Sequence, residues 1–158
     1  MSLDPDAFRA VMGRFASGVT VVTATNSQGD DRGMTVSAFA SVSLQPPLVV
    51  MCIDQAASMY DTLASAQYFA VNILASTQEP IARRFANTGT QQFEGIGYRT
   101  GENGVPVIND VLAFVECKRV SSTVAGDHII IVGETVAASL RDARPLLYYR
   151  GGFAQLER

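Results

Sequence analysis

The chain has 158 residues, of which 47% are hydrophobic and 17% charged, and its formal net charge is −3. This balance predicts one compact globular domain over residues 1–158 and excludes a disordered chain. The acidic charge gives no support to nucleic acid or an anionic membrane as a partner. No apolar run reaches the about 18 residues of a spanning helix, and the N-terminus lacks the features of a signal peptide.

The two cysteines and the single histidine also restrict the chemistry. Cys52 and Cys117 lie in separate apolar runs, which favours two buried free thiols over a disulfide and predicts a cytoplasmic protein. With His128 as the one histidine, they cannot build an ordinary structural zinc site, so no metal is expected.

The first third of the chain predicts a helix, a hairpin and a buried strand. Asp4-Pro5 is typical of an N-cap followed by proline at the first helical position, and apolar residues continue at helical spacing towards Gly18. Residues 19–25 form a run rich in Val and Thr, and a polar turn separates them from a second strand that begins near residue 33, so we expect a hairpin. The apolar run 48–54 predicts a buried strand.

The rest of the chain predicts short helices and further strands. Ser58 could cap a helix that ends near Ser65, and the capping-box pattern at 76–79 predicts a helix that continues to Ala86. Polar, glycine-rich residues 87–109 predict a long loop. Four further runs predict strands: residues 68–74, 111–124, 128–140 and 146–149. About six strands with hairpin connections and few helices predict an antiparallel barrel with helices at its ends.

The most unusual stretch is 33–44, where hydroxyl side chains recur at odd positions. They are Thr35, Ser37, Ser41 and Ser43. Because alternate residues of a strand share a face, one extended strand would present all four hydroxyls together. Such a row beside the backbone would suit a flat polar ligand such as a flavin. An edge strand with a solvated Ser/Thr face is the alternative interpretation.

Other polar residues allow binding but show no established hydrolytic motif. The sequence has no Gly-x-Ser-x-Gly elbow and no dinucleotide fingerprint, whereas redox chemistry on a bound organic cofactor needs only hydroxyls, N–H groups and arginines. Arg83 and Arg84 point in different directions on a helix, so one is expected to face a ligand and the other water, unless both are solvated. Ser58 could meet a phosphate or act as a plain N-cap, and His128 could be an ordinary strand-end histidine.

Five segments spread over nearly the whole chain resemble a known family. They are residues 15–23, 34–43 with 46–49, 81–86, 126–128 with 133–134, and 145–153. The second segment resembles the flavin-binding signature of the flavin reductase-like family and is the most specific of the five. The resemblance implies a mainly β fold, the antiparallel Greek-key split β-barrel known as the FMN-binding split barrel, with a few flanking helices.

The same resemblance implies an activity. Family members of this size are NAD(P)H:flavin oxidoreductases that transfer a hydride from NADH or NADPH to FMN or FAD and supply the reduced flavin to a partner monooxygenase. The family also implies a homodimer. Two alternatives stay open: a flavoprotein that holds its flavin tightly and transfers electrons, and a non-catalytic flavin-binding module. The sequence leaves open the choice of flavin, of nucleotide and of partner oxygenase.

The resemblance further implies roles for individual residues, although no catalytic residue is certain. The flavin ring would be lined by Met34, Thr35, Val36, Ser37 and Ala38, and the same wall would continue along Ser41, Val42 and Ser43. The flavin tail and phosphate would lie near Cys52, Ile53, Ser58, Arg83 or Arg84, and Phe85. The nicotinamide side would hold His128 and Tyr149. Two alanines, Ala56 and Ala57, stand where family members often carry a polar or basic residue, which leaves FMN or FAD open.

Overall fold

The computed structural model describes residues 2–89 and 91–157, which form three antiparallel sheets and three short α-helices. The helices are α1 (Pro5–Met12), α2 (Tyr60–Ser65) and α3 (Glu79–Ala86). The strands are β1 (Ser17–Gly18), β2 (Thr20–Thr25), β3 (Asp31–Val36), β4 (Phe39–Ser43), β5 (Leu48–Asp54), β6 (Tyr68–Ile73), β7 (Tyr98–Thr100), β8 (Pro106–Ile108), β9 (Ala113–Ala125), β10 (His128–Leu140), β11 (Leu146–Tyr149) and β12 (Gly152–Gln155). Within this part of the chain, none of the helices has the length and apolar character needed to cross a membrane.

The main sheet has seven strands in the order β3-β2-β6-β9-β10-β5-β4. Its two outermost strands, β3 and β4, are joined by only Ser37 and Ala38. Three Cα–Cα steps of about 3.8 Å keep the end of β3 within about 11 Å of the start of β4. The sheet therefore curls until its two edges come together at this end. Since the edges do not pair in the described residues, the barrel is split, which confirms the predicted fold class.

The core fills the inside of this curled sheet and the space beneath α3. Inside the sheet, alternate strand residues are fully buried, as with Met51 and Ile53 on β5. A second cluster packs α3 against the sheet through Ala82 and Phe85. Burial of these apolar side chains is the main favourable contribution to folding, at about 25 cal/mol per Å² of apolar surface.

Two small sheets attach to the main one. The β11–β12 hairpin pairs with β1 and is tied to the end of α1, because the Arg150 N–H donates to the Gly13 carbonyl at 3.0 Å. The β7–β8 hairpin is held by the buried carboxylate of Glu116, which accepts from the backbone N–H groups of Glu102 at 3.3 Å and Asn103 at 2.9 Å. Charge-assisted bonds of this kind compensate the desolvation of a buried carboxylate.

Several predicted elements are confirmed. The β2–β3 hairpin forms, and β5, β10 and β11 have the predicted bounds. Helix α1 begins at Pro5, and the Asp4 carboxylate accepts from the Ala7 N–H at 3.2 Å. Both cysteines are free thiols, but only Cys117 is fully buried, and burial raises its pKa to about 11.

Other predictions are wrong in detail. The stretch 33–44 is two strands instead of one, because the chain passes between the two edges of the sheet at Ser37. Helix α1 ends at Met12, where the backbone turns towards the β11–β12 hairpin. The N-cap of α2 is Met59, so Ser58 does not cap it.

The predicted capping box and loop also differ from the structure. Gln78, not Glu79, provides the capping acceptor, since its Oε1 accepts from the Ala75 N–H at 2.9 Å in a 3₁₀ turn before α3. The loop predicted at 87–109 contains β7 and β8, and the last strand, β12, was not predicted.

The packing around Gly133 gives a stability test. A Cβ at this position of β10 would lie 2.6 Å from Cζ of Phe69 and 2.9 Å from Cβ of Cys117. We expect Gly133→Ala to lower the free energy of unfolding by about 2 kcal/mol through overpacking, measured by denaturant titration. Gly18→Ala is the matched control because, apart from residue 18 and its two chain neighbours, no atom lies within 4 Å of the added methyl group. Equal stabilities of the two variants would contradict the packing described here.

Candidate functional site

A cavity of about 470 Å³ lies between the end of α3, the β3–β4 link and the β11–β12 hairpin. We call it the α3 cavity. Its walls are formed by Val19, Thr35, Ser37, Arg83, Ala86, Asn87, Tyr148, Gly151 and Phe153. Its volume lies within the range of about 300–1,000 Å³ that is usual for small-molecule sites.

A narrower cleft of about 170 Å³ adjoins it between β3 and α3. We call it the β3–α3 cleft. Its walls are formed by Gly33, Met34, Thr35, Ala57, Ser58, Phe85, Ala86, Asn87, Thr88 and Gln92. Thr35, Ala86 and Asn87 line both, so the cavity and the cleft lie side by side around the end of α3, and we call the two together the depression.

Local contacts between β3 and α3 set the shape of this depression. The Thr35 hydroxyl donates to the Ala82 carbonyl at 2.6 Å, so it links the two elements. The Phe85 ring lies against Gly33, where an added Cβ would come within 2.8 Å of two ring carbons. A glycine is therefore needed for α3 to approach β3 this closely.

The two adjacent arginines have different partners. The Arg83 guanidinium lies over the Phe153 ring, 5.0 Å from its centroid, and its Nε donates to Glu79 at 3.1 Å. Arg83 thus places its positive charge on the wall of the α3 cavity. In contrast, Arg84 donates to the Glu94 carbonyl at 2.7 Å and anchors the loop after α3. The sequence predicted that one arginine would face a ligand and the other water; Arg83 lines the cavity, and Arg84 is exposed while it also contacts the loop.

The depression brings together several residues predicted from the sequence. On its walls are Met34, Thr35, Ser37, Ser58, Arg83 and Phe85. Ala38 and Cys52 lie side by side next to the β3–β4 link, because the Cys52 N–H donates to the Ala38 carbonyl at 3.1 Å. These residues come from four separate parts of the chain, which the curled sheet and α3 bring together at one end of the barrel.

Other predicted residues lie elsewhere. Val36 is 5% exposed and Ile53 fully buried, so both side chains belong to the core. The β4 residues of the predicted wall line neither the cavity nor the cleft, because β4 runs along the opposite edge of the sheet. They are Ser41, Val42 and Ser43.

The two residues predicted on the nicotinamide side also line neither space. His128 lies at the start of β10 opposite Asp54, and its Nδ1–H donates to the Asp127 carboxylate at 2.7 Å. On β11, Tyr148 lines the α3 cavity, and its neighbour Tyr149 points to the opposite face of the strand. Four lining residues were not predicted: Asn87, Tyr148, Phe153 and Gln92. Strand alternation alone could not choose between the two tyrosines.

The lining indicates what this site can bind. Tyr148 and Phe153 meet edge to face with ring centroids 5.7 Å apart, which provides an aromatic wall. Arg83 adds a positive charge, and Thr35 and Ser37 add hydroxyl groups. In residues 2–89 and 91–157, no cluster of three or more His, Cys, Asp or Glu side chains could hold a metal ion. The arrangement suits a flat aromatic ligand that carries negative charge.

A known protein family matches most of the chain. The family described as "Flavin reductase like domain" matches residues 12–157. The chain belongs to this flavin reductase-like family. The resemblance seen in the sequence is thereby confirmed.

Individual relatives cover most of the chain. It is 42% identical over 152 residues to the "FMN reductase (NADH) SmoA" of Agrobacterium fabrum, covering 96% of this chain and 86% of that protein. It is 35% identical over 160 residues to "Flavin-dependent monooxygenase, reductase subunit HsaB" of Mycobacterium tuberculosis, covering 98% and 84%. By contrast, the chain spans only about half (48%) of the length of a "Probable flavin reductase" from Rhizobium meliloti.

A solved structure shows the same fold. The Streptomyces globisporus "NADH:FAD oxidoreductase SgcE6 in complex with NAD and FAD fragments" superposes with a TM-score of 0.91 at 37% identity. The similarity covers 99% of this chain and 96% of that one.

The Asp127–His128 contact yields a pKa prediction. The hydrogen bond from His128 stabilises the carboxylate and holds the pKa of Asp127 below its ordinary value, with a further contribution from Arg9. We expect His128→Ala to raise the pKa of Asp127 towards the ordinary value, measured by carboxyl NMR titration. Arg9→Met, the control, should raise it less. An unchanged Asp127 pKa in His128→Ala would contradict the contact.

Proposed function

We propose that this chain is an NAD(P)H-dependent flavin reductase that releases reduced flavin to a separate flavin-dependent oxygenase. Membership in the flavin reductase-like family supports the reaction class. The Mycobacterium relative, a reductase subunit of a monooxygenase, supports the oxygenase partner. The free thiols of Cys52 and Cys117 support a cytoplasmic location.

The observation that carries the proposal is the α3 cavity with Arg83 and the Tyr148–Phe153 pair on its walls. A flavin reacts by accepting a hydride from the reduced nicotinamide. The protein must hold two flat rings in contact and keep water out, and it need not supply a strong acid or base. The cavity offers an aromatic wall, hydroxyls and a positive charge, which are the groups that such a task requires.

Residues around the cavity divide the binding task in this proposal. Arg83 neutralises the flavin phosphate, since guanidinium groups suit phosphate geometry. Thr35, Ser37 and the adjoining backbone of Ala38 face the ring. His128 and Tyr149 line neither the cavity nor the cleft. They would therefore contact the nicotinamide only where it extends outside these two spaces. The proposed enzyme accepts FMN or FAD as its flavin substrate.

The proposal is tested by following NADH or NADPH oxidation with catalytic protein and excess FMN, FAD or riboflavin. We expect many turnovers per protein with free flavin. A flavin that stays bound through gel filtration, with no nucleotide oxidised, would replace this proposal with an electron-transfer or binding function.

The two arginines give a phosphate-specific prediction. We expect Arg83→Met to raise the KM for FMN about tenfold and to leave the KM for riboflavin unchanged, because riboflavin lacks the phosphate. Steady-state kinetics with both flavins measures this difference. Arg84→Met is the matched control: through the loop it should affect both flavins alike. Equal changes for FMN and riboflavin in Arg83→Met would remove Arg83 from the phosphate site.

We further propose a homodimer that forms through the outer face of β5 and β10. On this face Cys52 pairs with Ile130, and Val50 with Val132. All four are apolar and only half-buried within the chain, whereas their strand neighbours fill the core. An apolar patch on adjacent strands is the kind of surface that a symmetric partner covers.

The dimer is tested with a charge in this patch. We expect Val132→Glu to convert the protein from dimer to monomer in sedimentation experiments, since it would bury an unpaired carboxylate. Val124→Glu is the control, because Val124 pairs with the core-facing Ile129 and lies on the opposite face of the β9–β10 hairpin. A dimer that survives Val132→Glu would place the interface elsewhere.

A further inference from the structure

Gln92 is a polar side chain that is almost fully buried in the loop after α3. It is only 7% exposed and lies on the wall of the β3–α3 cleft. Both ends of its amide are used: Oε1 accepts from the Gly33 N–H at 3.2 Å, and Nε2 donates to the Asn87 carbonyl at 3.0 Å. Gln92 therefore connects β3 to the residue that follows α3.

The hydrogen bond from Gly33 to Gln92 satisfies a backbone group at the edge of the main sheet. Strand β3 is an edge of the main sheet, so the outward N–H of Gly33 has no neighbouring strand to pair with. The amide of Gln92 takes the place of that strand. Phe85 packs on the same glycine, and Thr35 bonds to Ala82 two residues further along β3.

Together these contacts set the spacing between β3 and α3. The Thr35–Ala82 bond and the Phe85 contact involve the body of α3, whereas Gln92 ties the loop beyond the helix to Gly33 of β3. If the amide were lost, the Gly33 N–H and the Asn87 carbonyl would each lose a partner, and because Gly33 is buried its N–H would be left unpaired at a cost in free energy.

We infer that Gln92 is a positioning residue for flavin binding, which fixes the width of the β3–α3 cleft and so the place of Met34 and Thr35 against the flavin. This inference rests on the flavin site proposed above. Gln92 is neutral and both of its polar ends are satisfied within the protein, so it acts through β3 and the loop and not through its own charge.

The test is the Gln92→Met variant, which keeps the length of the side chain and removes both hydrogen bonds. We expect the Kd for FMN, measured by flavin fluorescence quenching without nucleotide, to rise about tenfold. The KM for flavin should rise by the same factor, while kcat at saturating flavin and the KM for NADH stay within about twofold. Gln91→Met is the matched control, because that neighbouring side chain is exposed.

A second variant separates the two hydrogen bonds and covers the case of poor folding. Gln92→Glu keeps an acceptor for the Gly33 N–H and loses the donor to Asn87. With riboflavin, which carries no phosphate for the new charge to repel, its Kd should lie between those of the wild type and Gln92→Met. A Kd equal to that of Gln92→Met would show that the bond to Gly33 does not position the flavin and would overturn the inference.

The remaining outcomes are equally distinct. If the variants only lower the melting temperature or the active fraction, with unchanged Kd and KM values, Gln92 is structural and the inference is wrong. A change confined to the KM for NADH would also overturn it. If the wild type binds flavin but oxidises no nucleotide, the proposed reductase function fails, and the Kd comparison still decides the role of Gln92.

Discussion

The structure depends on a short covalent constraint: two residues, Ser37 and Ala38, join the opposite edges of a seven-stranded sheet. A flat sheet of this order would hold β3 and β4 about six strand spacings, or roughly 28 Å, apart. Since the link spans only about 11 Å, the sheet has to curl. The curl encloses buried apolar side chains of six strands, β2, β3, β5, β6, β9 and β10, and brings the end of β5 beside the link.

The same constraint determines where a ligand can bind. Because the barrel does not close, β3 keeps an unpaired edge, and α3 with its following loop covers this edge instead of another strand. A helix cannot form the backbone hydrogen-bond ladder that joins two strands. Side chains therefore make the hydrogen bonds between β3 and the α3 region: Thr35 to Ala82, and Gln92 to Gly33. A depression lined by polar groups is left along the join.

Much of the fold could be predicted because its strands are long and strongly patterned. The apolar runs of β5 and β10 predicted both bounds, since a long run of apolar residues marks a strand clearly even where only alternate residues are buried. The row of hydroxyls at 33–44 does not share one face, because side chains alternate regularly only within one strand and the chain passes to the other edge of the sheet at Ser37. Phe153 was missed for another reason: β12 is a strand only through its pairing with β11.

The candidate site was predicted less completely than the fold. Which residues line it depends on the side to which each strand residue points and on contacts between distant parts of the chain. Tyr148 and Tyr149 are chemically alike, and only the pairing of β11 with β1 and β12 decides which ring faces α3. Arg83 and Arg84 are equally alike in sequence, yet one lies over Phe153 and the other binds a loop carbonyl. The family motif located the segments of the site, but the assignment of each side chain required the register of the strands.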